Sequence, residues 1–323
     1  MNKMKIVILD DWNKAFTNHP ALERLRRLGE VELYQDPLSF DQLKEVLKTA
    51  DIVIPIRERT KFTKELLENC PRLKMIAQTG KGVAHIDLEA VNERKIPISV
   101  TPGGSATAVA ELTLGLIIAC LRKIPFGQRE LQKGHWPHLL GREMTGKKLG
   151  IIGLGTIGSK VAKLAKVFDM SVYAWGPRLT RERAMDQGVN YLSLEELLKT
   201  VDILTLHVRL VKETTNLLTK KHFQLMKPEA ILINTSRGKI VNEEDLIWAL
   251  KNQVIAGAGL DVFSVEPIQP DNPLLQLDNV VLSPHIGYTT QETFDRFLLN
   301  AIENIESFVQ GQPINILNEE VLK

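Results

Sequence analysis

The stretch Leu149 to Gly158, LGIIGLGTIG, constrains the chain more than any other. Leu149, Gly150, Ile151 and Ile152 read as a buried strand that runs straight into Gly153-Leu-Gly155-Thr156-Ile157-Gly158. From Ser159 to Phe168, apolar residues recur at helical spacing, at Val161, Leu164 and Val167. A strand, a glycine turn and a helix in that order can cradle a dinucleotide. The first glycine permits the tight turn, and the second lets backbone approach a pyrophosphate lying on the free N–H groups of the helix start. The third lets helix and strand pack closely. Glycine-rich turns are common, so the pattern gains its weight from the flanking strand and helix and from a second strand candidate, Met170 to Trp175. Gly153, Gly155, Thr156, Ile157 and Gly158 are the expected cofactor-binding residues.

An NAD-type site wants an Asp or Glu about twenty residues further on, to take the ribose hydroxyls and repel a 2′-phosphate. Eighteen positions past Gly158 stands Gly176, followed by Pro177 and Arg178, with Arg181 and Arg183 close behind. The repelling charge is missing and cationic forks are at hand. The expectation is NADP(H) as the preferred cofactor, NAD(H) as the second choice, with Gly176 and Arg178 at the discriminating end. The alternative is that these arginines are only the solvated face of a short helix, Thr180 to Asp186.

With 323 residues there is room for two domains with separate cores. The formal charge of +2 is scattered along the chain, and no basic-aromatic signature stands out, so no nucleic-acid partner is expected. Cys70 and Cys120 lie far apart without a CxxC pair, which speaks against a disulfide framework or a metal site and fits a reducing, cytoplasmic compartment. The N-terminal MNKMKIVILDDW reads as a first strand and not as a signal peptide. The longest apolar stretch, Val109 to Leu121, contains Glu111 and Thr113 and is too short for a bilayer, so no membrane association is expected.

In the first hundred residues short apolar runs alternate with amphipathic ones: strands at Lys5 to Leu9, Val31 to Tyr34, Asp51 to Ile56, Leu73 to Ala77 and Ile98 to Val100, with helical patterns between them. This alternation implies a parallel sheet with helices on both faces. The turn cluster Thr101 to Ser105 precedes a strongly apolar helix, Ala106 to Leu121, and marks the boundary. A second series carries the glycine turn, then strands at Asp202 to Leu206, Ala230 to Asn234, Ile255 to Asp261 and Val280 to Leu282, and ends in an amphipathic helix, Phe294 to Val309, expected to return to the first domain.

Three stretches at strand ends carry the candidate chemistry: Asn234-Thr235-Ser-Arg237-Gly238, Leu260-Asp261-Val-Phe-Ser-Val-Glu266-Pro267 and Ser283-Pro284-His285-Ile286-Gly287. Ligands bind at the carboxyl ends of strands in open α/β sheets, so an Arg, a Glu and a His delivered there can converge. In this order behind the glycine turn, and together with TGKGVAHID at Thr79 to Asp87, Val109-Ala-Glu111, Leu206-His207-Val208 and MKPEAILINTSRG at Met226 to Gly238, they resemble the D-isomer-specific 2-hydroxyacid dehydrogenases over nearly the whole chain.

The resemblance implies a catalytic Arg237 that clamps the substrate carboxylate, a His285 that exchanges a proton with the substrate oxygen, and a Glu266 that orients the imidazole. It implies that Thr235 and Asp261 lie on the cofactor, Asp261 at the nicotinamide carboxamide. Asp261 as a mere cap on its turn is the rival reading. Arg57, Lys81, Gly82 and Val83 become substrate-binding candidates, the loop beginning at Gly80 offering backbone N–H groups. Arg57 and Arg59 match positions where phosphoglycerate dehydrogenases of this family meet a phosphate, which makes D-3-phosphoglycerate the alternative substrate; Gly176 counts against it. Arg209 and Ala84 depart from residues frequent in the family. The implied fold is α/β, two Rossmann-like or flavodoxin-like domains with parallel sheets and an active site in the interdomain cleft. The substrate domain is residues 1–100 completed by 289–323, and the dinucleotide domain is 101–288. The implied function is reduction of a small 2-oxo acid such as glyoxylate or hydroxypyruvate, in a homodimer with Ala106 to Leu121 as a candidate contact. A dinucleotide-sensing binding protein is the non-enzymatic rival.

Overall fold

A computed structural model describes residues 3–102 and 104–323; Met1 and Asn2 of the N-terminal segment and Gly103 of the Thr101 to Ser105 turn lie outside the described residues. The chain divides into two units, Met1–Ser105 with Thr289–Lys323, and Ala106–Tyr288.

In the first unit five short strands, β1 (Met4–Leu9), β2 (Gly29–Leu33), β3 (Ile52–Pro55), β4 (Met75–Gln78) and β5 (Ile98–Val100), form a wholly parallel sheet ordered β2-β1-β3-β4-β5. β1, β3 and β4 are apolar at nearly every position because helices cover both faces. The strand order reverses between β1 and β3, the place where open sheets of this type leave a crevice. Helix Gln291–Val309 packs on β4, β5 and helix Leu22–Leu28. Phe294 meets Phe16 and Phe297 edge-on, and Arg24 grips Glu306 with two nitrogens at 3.0 and 2.6 Å. The tail beyond this helix is stitched to β5: the Asn318 side chain accepts from the Ile98 N–H at 2.8 Å and donates to the Ile96 carbonyl at 3.0 Å.

In the second unit β6 (Lys148–Ile152), β7 (Ser171–Trp175), β8 (Asn190–Tyr191), β9 (Ile203–Leu206), β10 (Ile231–Asn234), β11 (Gly257–Leu260) and β12 (Val280–Leu282) form a second parallel sheet ordered β12-β11-β10-β9-β6-β7-β8. The order reverses between β6 and β9, so the glycine turn stands at the switch point. The register aligns the strand ends. Trp175, Ile152, Leu206, Asn234, Leu260 and Leu282 form one row of partners across the sheet. The next residue of each strand is Gly176, Gly153, His207, Thr235, Asp261 and Ser283, a line of candidate residues along the carboxyl edge.

The helix behind the glycine turn spans Thr156–Val167, three residues earlier than its apolar spacing suggested, because Thr156 to Gly158 are its first turn. The two-residue strand β8 and helix Ile124–Gln132 carry too little pattern to be seen in the sequence. Helix Ala106–Arg122, a candidate dimer contact that a monomer core would suit as well, has a buried face: Val109, Ala110, Leu114, Ile117 and Leu121 are buried, and the helix packs on Thr156–Val167 and strands β10 to β12.

Candidate active site

The glycine turn has the geometry that a pyrophosphate requires. Gly153 stands at φ 100, and a Cβ there would lie 2.7 Å from the His207 carbonyl oxygen. A Cβ on Gly158 would collide with the Gly153 carbonyl, whereas around Gly155 the space is open. Gly155 is also the N-cap of the helix, so free N–H groups face that open space. Thr156 and Ile157 begin the helix beside it. Gly176, next to this turn, is buried, and the nearest atom to a Cβ there would be Leu179 Cβ at 3.4 Å, so a side chain fits. Arg178 is exposed. Arg181 lies over the Tyr191 ring of β8 at 5.8 Å and Arg183 donates to the Arg178 carbonyl, in the turn before their helix, at 3.0 Å.

Three loops after β10, β11 and β12 carry Arg237, Glu266 and His285. His285 Nδ1 and Glu266 Oε2 are 2.6 Å apart, and the other Glu266 oxygen accepts from the Phe263 N–H at 2.9 Å. Burial by itself would raise the Glu266 carboxyl. The His285 hydrogen bond, the Phe263 N–H and the charges of His285 and Arg237 outweigh it, and the carboxyl is held below its ordinary value. The same balance places Arg237 within electrostatic reach of Glu266, so the three expected catalytic residues share one neighbourhood. A Cβ on Gly238 would collide with the Phe263 backbone, and this close approach brings the Arg237 loop against the Glu266 loop. Glu243 pins the latter by accepting from the Ser264 N–H and from Asn272 Nδ2, each at 2.9 Å. Nothing local in the sequence singles Glu243 out.

Asp261 fastens the loop that carries His285. Its carboxylate, 1% exposed, accepts from Ser283 Oγ at 2.6 Å, the Ile286 N–H at 2.9 Å and the Gly287 N–H at 2.8 Å. Burial raises its carboxyl above the ordinary value in spite of these bonds. These bonds go to the loop after β12 and not to the turn after β11, so they are not the cap on its own turn that the rival reading described. Thr235 turns its hydroxyl toward Thr113 Oγ1 at 3.0 Å. His285 itself stands in the left-handed region at φ 53, a conformation the loop must hold against its intrinsic cost.

In the first unit Arg57 stands at φ 65 just after β3, and a Cβ on Gly80 would collide with its guanidinium. Lys81 is exposed and Gly82 and Val83 are half-buried. The Arg59 guanidinium stacks on Trp12 at 4.4 Å and donates to the Asp10 carbonyl at 2.6 Å and to Asn13 Oδ1 at 2.8 Å. Among the described residues no group of three His, Cys, Asp or Glu side chains could hold a metal ion, and no helix is long and apolar enough to cross a membrane.

His207, in the row of strand ends, is desolvated so strongly that its imidazole is pushed down to about 3, and its Nε2 is 2.9 Å from Thr205 Oγ1. The unfolded chain takes up this proton below the ordinary value of 6.5, the folded chain only below about 3. Between these values the unfolded state holds more protons, so stability falls as pH drops, by up to about 1.4 kcal/mol per unit. Urea unfolding between pH 7 and 4 is expected to show a shallower decline for His207→Gln than for the wild type; parallel declines would exclude a buried neutral imidazole.

The chain is similar over most of its length to known proteins. The model of the D-isomer specific 2-hydroxyacid dehydrogenase NAD binding domain matches residues 114–287. A D-3-phosphoglycerate dehydrogenase of Methanocaldococcus jannaschii is 38% identical over 312 residues, which are 96% of this chain and 58% of that protein, so the chain spans just over half the length of this relative. A glyoxylate reductase of Thermococcus litoralis is 39% identical over 314 residues, 94% of each chain. A hydroxypyruvate reductase of Thermotoga maritima is 37% identical over 289 residues, 88% of this chain and 93% of that one. Among solved structures, an acyclic imino acid reductase in complex with NADPH and D-Arg superimposes with a TM-score of 0.82 at 33% identity, covering 97% of this chain and 100% of its own.

Proposed function

We propose a function from one premise: the chain belongs to the D-isomer specific 2-hydroxyacid dehydrogenase family. It is an oxidoreductase that uses a nicotinamide cofactor on the CH–OH group of a D-2-hydroxy acid, and its favoured direction is reduction of a small 2-oxo acid of the glyoxylate or hydroxypyruvate type. The observation that carries this reading is the 2.6 Å pair of His285 Nδ1 and Glu266, with Arg237 in electrostatic reach and the glycine turn on the same sheet edge.

When bound, the reduced nicotinamide supplies the hydride. With Nδ1 held by Glu266, the imidazole offers Nε2 to the substrate oxygen, donating a proton in reduction and accepting one in oxidation. Arg237 holds the substrate carboxylate with its planar fork and polarises the neighbouring carbonyl. Lys81, Gly82 and Val83 offer backbone N–H groups to the carboxylate, and Arg57 adds charge. The second unit is the dinucleotide domain and the first the substrate domain. Asp261 holds the His285 loop and, with Thr235 beside it on the sheet edge, would lie on the cofactor, Asp261 at the nicotinamide carboxamide. His285→Ala is expected to lower kcat by a factor on the order of 10² or more while NADPH affinity is retained. Wild-type turnover in this variant would refute the assignment.

NADPH is the proposed preference because Gly176 removes the repelling acid and Arg178 stands exposed beside it. Since a side chain fits at 176, Gly176→Asp should lower the NADPH-to-NADH ratio of kcat/KM by about tenfold or more through repulsion of the 2′-phosphate. A constant ratio would locate the discrimination elsewhere. The phosphoglycerate reading keeps the support of Arg57 and of the 38% identical relative, but Arg59 is engaged by Trp12, Asn13 and Asp10.

The proposed homodimer uses the segment after helix Ala106–Arg122. Trp136 is 78% and Leu140 88% exposed, and they adjoin a groove of about 510 Å³ lined by Ile124, Gly127, Leu131 and Leu139. Knob and groove on one surface suit a two-fold contact between copies. Sedimentation velocity should show a dimer that Leu140→Asp converts to monomer; a monomeric wild type would refute it. The free cysteines, Cys70 and Cys120, fit a reducing compartment such as the cytoplasm.

A further inference from the structure

The bond between His285 and Glu266 leaves the imidazole one freedom. Glu266 Oε2 holds Nδ1 at 2.6 Å, which fixes one corner of the ring. About that hydrogen bond the ring can still rock, because the outer torsion of a histidine side chain has only a broad preference. Nε2, the corner that the proposed function gives to the substrate oxygen, moves most in such rocking. Proton transfer needs heavy atoms within roughly 2.6–3.2 Å, and a misplacement of about 1 Å can cost on the order of 10² in rate. A second contact on the ring removes this freedom.

Tyr288 makes that contact. Its ring stands against the His285 ring with centroids 5.9 Å apart and planes at 83°, the edge-on arrangement in which aromatic rings attract one another. Both residues belong to the second unit. The backbone that leads from one to the other is tethered residue by residue. The His285 N–H donates to the Ser283 carbonyl at 3.1 Å, and the Ile286 and Gly287 N–H groups donate to Asp261 at 2.9 and 2.8 Å. A Cβ on Gly287 would lie 3.0 Å from Asp261 Oδ2 and 3.4 Å from Val109 Cγ2, so the chain passes close against the carboxylate just before Tyr288. Tyr288 is half-buried, and its ring turns back toward the residue three places earlier. The imidazole is thus held from two loops, by Glu266 after β11 and by Tyr288 after β12. Restraints at two separate points of a flat ring fix its plane as well as its corner. No pattern in the sequence marks Tyr288, because its place depends on the left-handed turn at His285.

We infer that Tyr288 is a positioning residue for the proton transfer: its ring sets the plane of the His285 imidazole, so that Nε2 is aimed at the substrate oxygen while Nδ1 stays on Glu266. Tyr288 acts through His285 and exchanges no proton with the substrate. The ring carries the role, so phenylalanine can replace tyrosine and an aliphatic side chain cannot.

This inference rests on the proposed function, and one experiment separates the two. The wild type, Tyr288→Phe, Tyr288→Leu, His285→Ala and the double variant His285→Ala with Tyr288→Leu are assayed with NADPH on glyoxylate and hydroxypyruvate, in water and in D2O. Tyr288→Leu should lower kcat by about tenfold, with KM and the Kd of NADPH within about twofold of the wild type. Its solvent isotope effect on kcat should exceed that of the wild type, since a misaimed imidazole slows the proton transfer relative to the other steps. A loss of folded enzyme would lower kcat without changing that isotope effect. Tyr288→Phe should hold kcat within about threefold of the wild type. In the His285→Ala background Tyr288→Leu should change kcat by less than about twofold, because residues that act as a unit are not additive. The role of Tyr288 is overturned by a Tyr288→Leu variant with wild-type kcat or an unchanged isotope effect. It is equally overturned by a Tyr288→Phe variant as impaired as Tyr288→Leu, or by a tenfold loss that persists without His285. A wild type that turns over neither acid overturns the proposed function and this inference with it.

Discussion

The buried carboxylate of Asp261 is the constraint on which the candidate site depends. It stands one residue past β11, and its three accepted hydrogen bonds all come from the segment Ser283–Gly287. Hydrogen bonds to a charged acceptor contribute roughly 1.5–3 kcal/mol each, enough together to hold His285 in a left-handed backbone conformation that costs on the order of 1–3 kcal/mol. The imidazole so placed meets Glu266, which is itself fixed from behind by the Phe263 N–H. Asp261 is thus a support for the loop that sets His285 against Glu266, and burial opposes its charge while the loop N–H groups favour it.

Parallel strands in register turn this local fastening into a continuous edge. Because β7, β6, β9, β10, β11 and β12 end on one row, the residues that follow them lie side by side at the roughly 4.8 Å strand spacing. The glycine turn, the neutral His207, Thr235 and Asp261 are neighbours for that reason, although up to 108 residues of sequence separate them, counting from Gly153 to Asp261. The largely apolar strands beneath are the condition for it, since a sheet covered by helices on both faces fixes its register by burial.

Much of this was legible in the sequence, and the limits are physical. The strand–glycine–helix pattern is local, so the turn at Gly153 to Gly158 and the alternation of strands and helices could be read directly. The Arg, Glu and His stretches could be placed at strand ends by position alone. What could not be read depends on contacts between distant residues. Trp12, Asn13 and the Asp10 carbonyl, 46 residues and more upstream, take up the Arg59 guanidinium. Thr113 turns the Thr235 hydroxyl toward its own helix. The apolar helix Ala106–Arg122 has the composition of an interface and of a core alike, and only its packing on β10 to β12 shows which face is buried in the unit.

The central claim is that the sheet edge of the second unit supports hydride transfer to a 2-oxo carbon with proton delivery from His285. Its most direct test is an isotope experiment with the wild-type protein: hydroxypyruvate is reduced with NADPH deuterated at the transferable position of carbon 4, and the product is read by mass spectrometry and chiral chromatography. The account predicts D-glycerate carrying one deuterium on carbon 2. Product without the label, or the L-isomer, would contradict it.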